Sequence, residues 1–267
     1  MEFAKFEEQI FLITVRVENL TDNEVGTGFL VRKPITEELQ QILLFSNKHV
    51  IWGKKDKDTL GISKNLRITM HKKQDDGSHV LGTTHTFLMN PKRDELGYWE
   101  HPDKEVDVAC LNISEAANVG IPLLYKAVDT ENFFDVDRTN ISSGERIIFV
   151  GYPTGFYDQK NFLPILRTGT IASIPSVDFN GRPQILIDAQ VFPGSSGSPV
   201  FVSIGGKYKL LGIISDAFYK GLDFVEIESA NQKEVKKIQI PTQWLGLGLL
   251  YTTETLKVVY DLVEFNA

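Results

Sequence analysis

The stretch QILIDAQVFPGSSGSPVFVSI, residues 184–204, carries the sequence GSSGSP at 194–199 between two short segments rich in β-branched residues. The flanking segments, 184–191 and 198–204, are typical of β-strands, and the glycines and serines between them are typical of a tight turn. A serine on such a turn exposes its hydroxyl, and the backbone N–H groups of Gly194 and Ser196 can converge as an oxyanion hole. A window of the form G-x-S-G-x-P arises by chance in on the order of 0.3% of chains of this composition. A plain turn between strands is the structural alternative, and these six residues alone leave it open.

Segments of the same kind recur along the chain and predict an all-β barrel or sandwich fold rather than βαβ units. They lie at 10–17, 27–32, 41–46, 66–71, 106–113, 146–152, 168–174 and 209–215. Helical spacing of apolar residues occurs only around 4–10 and at 253–265, where Thr253 is the expected cap. Residues 114–145 are polar and rich in aspartate. We therefore predict an N-terminal β half (1–113), a connection (114–145) and a C-terminal β half with a terminal helix (146–267).

Composition narrows the class of protein. The 267 residues are 42% hydrophobic and 24% charged, which excludes disorder and leaves room for a sizeable core. Since 28 Lys and Arg face 35 Asp and Glu, the net charge of −7 argues against nucleic acid as a partner. The single cysteine, an N-terminus unlike a secretory signal, and the lack of a long apolar run predict a cytoplasmic protein without a membrane partner.

A serine nucleophile needs an adjacent base that is itself oriented by an acid. The five histidines are His49, His71, His79, His85 and His101. Four of them lie in polar or mixed surroundings, where an exposed imidazole is the default. His49 lies where the apolar run QILLF has ended and a turn begins, so it is the candidate base. A capping or core histidine is the alternative for this residue.

Asp107 is the candidate orienting acid because it opens an otherwise apolar strand. A carboxylate there needs a partner if it is buried, and the N–H of a histidine ring would supply one. A strand-start turn residue is the alternative. Cys110 alternates onto the same face as Val108, which favours a small buried hydrophobe over a nucleophile. No His, Cys or Glu cluster has metal-ligand spacing and no dinucleotide motif is complete, so we expect neither a metal nor a cofactor.

The three segments SNKHV (46–50), DVACL (107–111) and GSSGSP (194–199) follow in the order His, Asp, Ser. In this the chain resembles the trypsin-like (chymotrypsin-fold) serine peptidases. GTGFLV (26–31) resembles the first-barrel strand of the family. GYP (151–153) and TGTI (168–171) resemble the opening strands of its second barrel, particularly in the bacterial HtrA/Deg-like branch, and GSPVF (197–201) is also similar to the glutamyl endopeptidases. The resemblance covers about 26–250 and implies two six-stranded antiparallel β-barrels. It also implies a triad of His49 as base, Asp107 as orienting acid and Ser196 as nucleophile, acting on a protein or peptide substrate.

Several features depart from parts of that family. One cysteine allows no internal disulfide, and Ser195 stands where zymogen-activated members carry an aspartate, so activation by propeptide cleavage is not expected. The length leaves no room for the PDZ domain typical of HtrA proteins.

The resemblance also locates the primary specificity pocket. Its base falls at Gln190 with Phe192 beside it, and its wall falls at Ser215, Asp216 and Ala217. Since no acidic residue aligns with the base, and Ile214 stands where glutamyl-specific members place a histidine, we expect an uncharged P1 residue. The alternative function is a catalytically silent peptidase-fold module that binds extended peptides by strand addition.

Overall fold

The computed structural model describes residues 3, 5–56, 59, 64–73, 81–93, 97–117, 120–129, 136–228 and 235–264, with only the backbone described within 221–242. His79 and parts of the predicted connection (118, 119 and 130–135) lie outside the described residues. Strands dominate the described part, so the prediction of an all-β fold is confirmed.

The first half begins with a helix and continues as a sheet. Its elements are α1 (Phe6–Ile13), β1 (Thr14–Asn19), β2 (Glu24–Pro34), β3 (Gln40–Ser46), α2 (Lys48–Trp52), β4 (Leu66–Lys72), β5 (Thr84–Met89), β6 (Tyr98–Glu100), β7 (Ala109–Asn112), α3 (Ser114–Ala117) and β8 (Leu123–Leu124). The second half contains β9 (Arg146–Gly151), β10 (Ile165–Ile171), β11 (Gln184–Asp188), β12 (Pro199–Ile204), β13 (Lys207–Glu228), β14 (Val235–Thr252) and the final helix α4 (Thr253–Leu262). Short 3₁₀ turns lie at Arg138–Asn140, Pro153–Gly155 and Phe179–Gly181.

The second half is a closed antiparallel barrel of six strands, in the order β10-β11-β14-β13-β12-β9. This confirms the barrel predicted for residues after 146. Its interior is filled by alternate apolar side chains of the strands, among them Phe149, Ile187, Val200 and Leu250, all almost fully buried.

The first sheet differs from the six-stranded barrel that the sequence predicts. It has eight strands in the order β5-β4-β1-β2-β3-β7-β6, with β8 paired to β4, and in the described residues this order does not close. The strands β5, β6 and β8 were not predicted from the sequence, for a physical reason. The side chains of β5 are half exposed, while β6 and β8 have only three and two residues. Such short or solvated strands give no continuous apolar pattern.

Helix α1 (Phe6–Ile13) includes residues 10–13, for which the sequence predicts a strand. The run FLI is apolar throughout, so periodicity alone does not separate a buried helix from a strand. At the other end, α4 buries Leu256 and Val259 as the helical spacing predicts, but its N-cap is Thr252 rather than Thr253.

An apolar core joins the two halves. It contains residues of α1, of the first sheet, of the barrel and of α4: Ile10, Ile13, Phe29, Val31, Leu43, Phe45, Val106, Val108, Cys110, Val128, Ile148, Val150, Phe201, Leu210, Ile213, Tyr251, Leu256, Val259, Tyr260 and Val263. Among the described helices, none has the length and apolar character that a membrane crossing needs.

Candidate active site

Ser196 lies on the turn that leads from β11 into β12, and two glycines shape that turn. Gly194 and Gly197 have φ of 88° and 89°, the left-handed region that favours glycine. A Cβ at Gly194 would collide with the Tyr152 carbonyl oxygen, and one at Gly197 would collide with that of Thr27. Both glycines are therefore required by conformation and by close approach of neighbouring backbone.

Two carbonyl groups of this turn accept hydrogen bonds, and these bonds determine the direction of two of its backbone N–H groups. The Pro193 carbonyl accepts from the Thr154 N–H at 2.5 Å, and the Ser195 carbonyl accepts from the Ser198 N–H at 3.0 Å. Because the C=O and N–H of a trans peptide point in opposite directions, the N–H groups of Gly194 and Ser196 point away from these anchors. Within the described residues neither N–H has a hydrogen-bond partner. These are the two donors that the sequence predicts for an oxyanion hole.

His49 and Asp107 lie together, as the sequence predicts. The Nδ1 of His49 is 2.5 Å from Oδ2 of Asp107, and the His49 backbone N–H donates to Oδ1 at 3.0 Å. The side chains of His49 and Asp107 are only 13% and 16% exposed. Their proximity follows from the pairing of β3 with β7, since Ser46 lies opposite Ala109 and each site residue is within three residues of that pair.

Lys48, beside the candidate base, is fully buried and fixes the segment that leads to Asp107. Its Nζ donates to the carbonyl oxygens of His101 at 3.0 Å and Asp103 at 3.2 Å. The side-chain amide of Asn47, the residue before Lys48, donates to the Asp107 carbonyl at 2.7 Å. A buried ammonium requires such partners, and here they hold α2 against the residues before β7. Sequence reasoning missed this role because a lysine between Asn47 and His49 gives no sign of burial.

The hydroxyl of Ser196 donates to the Ser215 carbonyl at 3.4 Å. The described hydrogen bonds include none between Ser196 and His49, although both residues line the same two cavities. The structure therefore brings the three predicted residues to one site, with the His–Asp pair made and the serine hydroxyl directed elsewhere. Such bonds often form only once substrate is bound.

The larger of these cavities has a volume of about 340 Å³. It is lined by His49, Lys54, Asp107, Val191, Phe192, Pro193, Ser196, Ser215, Asp216, Ala217, Tyr219 and Trp244. Four of the five residues predicted for the specificity pocket are among them: Phe192, Ser215, Asp216 and Ala217.

Gln190, the predicted pocket base, is not part of this cavity. It is exposed, and its Oε1 accepts a hydrogen bond from Arg167 Nη2 at 3.5 Å. The neighbouring Val191 is buried and lines the cavity instead. The strand β11 ends at Asp188, and the irregular backbone between this strand and the turn leaves the Gln190 side chain exposed to solvent.

Aromatic side chains form one wall of the cavity. The ring centroids of Phe192 and Trp244 are 5.7 Å apart, those of Tyr219 and Trp244 are 5.8 Å apart, and both pairs meet edge to face. The Arg167 guanidinium lies 5.0 Å from the Phe192 ring centroid. Tyr219 and Trp244 belong to the β13–β14 hairpin, which extends far beyond the predicted strand at 209–215 and so was missed.

A second cavity of about 230 Å³ adjoins Ser196 and contains Glu24, Val25, His49, Val50, Lys54, Pro193, Gly194 and Ser196. A third, of about 520 Å³, lies between β5 and β6 and shares no residue with the other two. The described residues contain no group of three or more His, Cys, Asp and Glu side chains arranged to hold a metal ion. Burial raises the pKa of the Cys110 thiol well above its usual range, as expected of a core side chain.

Comparison with known proteins gives the family. The solved structures that resemble this fold include an inactive form of a Rv3671c mutant from M. tuberculosis H37Rv, at 16% identity over 95% of this chain and 87% of that chain, with a TM-score of 0.49. Deg5 is similar at 18% identity over 80% of this chain and 88% of that chain, with a TM-score of 0.45. No curated protein shows significant sequence similarity. The sequence profile of the Trypsin-like peptidase domain family matches residues 26–213, more than two thirds of the chain, and the protein belongs to that family.

Proposed function

We propose that this protein is a serine endopeptidase whose triad is His49, Asp107 and Ser196. The observation that carries the proposal is the His49–Asp107 pair beside a serine on a turn with two N–H groups that have no partner in the described part of the chain. In the first step the Ser196 Oγ attacks the carbonyl carbon of a peptide bond, and the Nε2 of His49 takes the hydroxyl proton. His49 then returns that proton to the leaving amine, and water hydrolyses the acyl-enzyme by the same path.

Asp107 determines which nitrogen of His49 can act as the base. With the proton on Nδ1 directed at Asp107 Oδ2, Nε2 presents its lone pair. The carboxylate also stabilises the imidazolium that forms during attack. The N–H groups of Gly194 and Ser196 would bind the oxygen that becomes negative in the tetrahedral intermediate.

For reaction, the Ser196 hydroxyl must leave the Ser215 carbonyl and turn to His49. At 3.4 Å the present hydrogen bond is long and correspondingly weak, so rotation of this side chain costs little.

Labelling with a fluorophosphonate probe tests this function, because only a base-activated serine reacts rapidly. We expect the wild-type protein to be labelled at Ser196 and Ser196→Ala to remain unlabelled, with kcat on a peptide substrate lowered by about 10⁶-fold. Ser195→Ala is the matched control. Its hydroxyl is buried and has no hydrogen-bond partner among the described residues, so its removal should leave labelling intact. Equal losses in both variants would show that Ser196 is not the nucleophile.

The catalytically silent, peptide-binding module stays as the second candidate. The bond from Ser196 to Ser215 in place of one to His49 favours it. A folded wild-type protein that binds extended peptides but takes up no fluorophosphonate would establish this alternative.

We propose further that cleavage follows uncharged P1 residues. Of the residues that line the cavity, Val191, Phe192 and Trp244 suit an apolar side chain, whereas Lys54 also lines the second cavity, which contains Glu24. The one acid of the larger cavity apart from Asp107 is Asp216, an exposed residue whose Oδ1 already accepts from the Ala217 N–H at 2.9 Å. A cationic P1 side chain would therefore lose its hydration and gain only a weak ion pair with Asp216.

A mixed peptide library, digested and sequenced at its cut sites, tests this preference. We expect most cuts after uncharged residues, in both the wild type and Asp216→Asn. A majority of cuts after Lys or Arg that disappears in Asp216→Asn would instead assign Asp216 as the specificity residue.

A further inference from the structure

We propose that the Thr27 hydroxyl is a positioning group for the oxyanion donors, through which the N-terminal sheet sets the geometry of the nucleophile turn. The inference rests on the proposed peptidase function. Thr27 lies on β2, in the half of the molecule that does not carry the turn, and it is fully buried.

Every polar atom of Thr27 is hydrogen-bonded, and three of its four bonds reach the second half. Its Oγ1 donates to the Gly194 carbonyl at 2.8 Å and accepts from the Tyr152 N–H at 3.1 Å. Its backbone N–H donates to the Ser196 carbonyl at 2.9 Å. The fourth bond comes from Ser46, whose Oγ donates to the Thr27 carbonyl at 2.7 Å.

The bond from Thr27 Oγ1 to the Gly194 carbonyl matters because this carbonyl belongs to the same residue as one of the two oxyanion donors. It belongs to the peptide between Gly194 and Ser195, whose N–H donates to the Phe192 carbonyl at 2.9 Å and closes the turn. Fixing this peptide from both ends fixes the orientation of the adjoining Gly194 N–H. Glycine is the residue with the widest choice of backbone conformation, so the orientation needs an external anchor.

The bond to Tyr152 extends the effect to the other side of the turn. The segment of Tyr152 continues into Thr154, whose N–H anchors the Pro193 carbonyl. If the peptide between Pro193 and Gly194 turned over, the carbonyl would occupy the place of the Gly194 N–H and remove one oxyanion donor. The Thr27 Oγ1 joins Gly194 and the Tyr152–Thr154 segment at one atom, and so opposes that change.

Substitution can isolate the hydroxyl. Thr27→Val removes Oγ1 but retains the branched shape and the backbone N–H that bonds to Ser196. Thr27→Ser restores the hydroxyl. Thr69→Val is the matched control, since it removes another buried threonine hydroxyl of the same sheet, which bonds to Thr86 Oγ1 at 3.0 Å and lines neither of the two cavities that Ser196 lines.

The experiment measures kcat and KM on a cleaved peptide, the rate of fluorophosphonate labelling, and Tm. Removing an oxyanion donor outright lowers kcat by about 10²–10³-fold, and misplacing one should cost about 10–100-fold. We expect Thr27→Val to lose kcat and labelling rate by that factor with KM nearly unchanged. We expect Thr27→Ser and Thr69→Val to keep the wild-type kcat.

The outcomes separate this inference from the proposed function. A reactive wild type with an equally reactive Thr27→Val overturns the inference alone, as does a Thr27→Ser variant that loses as much as Thr27→Val. A folded wild type that does not react overturns the peptidase function. Should Thr27→Val fail to fold, Thr27→Cys supplies the test, since its weaker S–H donor predicts a kcat below wild type and a wild-type kcat overturns the proposal.

Discussion

Asp107 binds the same histidine twice, once at the ring and once at the backbone. The ring contact to Nδ1 orients the imidazole, whereas the 3.0 Å bond from the His49 N–H fixes the start of α2, one of the helix positions whose N–H groups lack an intrahelical acceptor. One carboxylate therefore contributes both to the local fold and to the proposed chemistry. Substitution can separate the two contributions.

We expect Asp107→Asn to fold like the wild type and to lose about 10⁴-fold in kcat. The asparagine Oδ1 can still accept from the His49 N–H. Its amide N–H₂, however, donates to the ring and favours the tautomer in which Nε2 carries the proton and cannot act as base. Peptide hydrolysis and circular dichroism would measure the two effects. Asp103→Asn, which alters a carboxylate that accepts only from the Glu105 N–H in the described contacts, is the control. Activity within tenfold of wild type in Asp107→Asn would exclude the triad role.

The sequence predicted a site of His49, Asp107 and Ser196 because each stands where a strand ends or begins, next to a recognisable pattern, and in the structure the three residues line one cavity. Gln190 was placed by a gapless alignment with the resembled family, which does not allow for the path of the chain after β11 ends at Asp188, and it does not line the cavity. Lys54 was missed since it has no pattern of its own, and only the fold brings it beside His49.

The segment between β9 and β10 connects the turn that carries Ser196 with the first sheet. Two of its residues, Thr154 and Phe162, have φ of 51° and 55°, a conformation that costs roughly 1–3 kcal/mol for a residue other than glycine. Phe162 packs against Tyr152, Tyr157 and the imidazole of His71 on β4, with 6.1 Å between the ring centroids of His71 and Phe162. These contacts compensate for the strained backbone. His71 is therefore part of the support for the segment that anchors Pro193.

Burial lowers the pKa of His71, and this determines how stability depends on pH. The unfolded chain takes up a proton at a histidine near pH 6.5, whereas folded His71 resists it, so the unfolded state binds more protons in acid. The contribution of His71 to stability is complete above about pH 6.5 and is lost as the pH falls through that value towards the lowered pKa. We expect a lower Tm at pH 5.5 than at pH 7.5.

His71→Gln, which stays neutral at both pH values, should show a smaller drop in Tm than the wild type. The drop is reduced rather than abolished because burial also lowers the pKa of His101. His85→Gln is the control and should behave as the wild type does. An undiminished drop in His71→Gln would remove this histidine from the acid sensitivity.

At the scale of elements, the closed barrel was predictable because its strands are short apolar runs, with one face buried in the barrel interior and the other in the core between the halves. The reach of β13 and β14 was not, since in the described residues beyond the barrel these two strands pair only with each other, and such a ribbon need not carry the apolar pattern of a core strand.

Across the whole molecule, the two end helices join the halves. Phe6 of α1 packs on Phe201 and Tyr208 of the barrel, with ring centroids 5.1 and 5.0 Å away, while the chain continues from α1 into β1 of the first sheet. Lys33 of β2 donates to the carbonyl oxygens of Tyr260 and Val263 at the end of α4, at 2.8 and 2.7 Å. Helix α1 is joined along the chain to the first half but packs on the second, and α4 is joined to the second half but is bonded to the first. Each half is therefore stabilised by a helix that is continuous with the other half.

This arrangement predicts that the two halves unfold together. Leu256 of α4 is fully buried in the core that both halves share, so Leu256→Ala should lower the free energy of unfolding by about 2–5 kcal/mol. In denaturant, the loss of circular dichroism and the loss of fluorophosphonate labelling at Ser196 should shift to the same lower midpoint. Val258→Ala, on the same helix but 39% exposed, should move either midpoint far less. Two separate transitions, with only one shifted by Leu256→Ala, would show that the halves are independent and that His49 and Ser196, the proposed base and nucleophile, are held together by a weaker contact than this core.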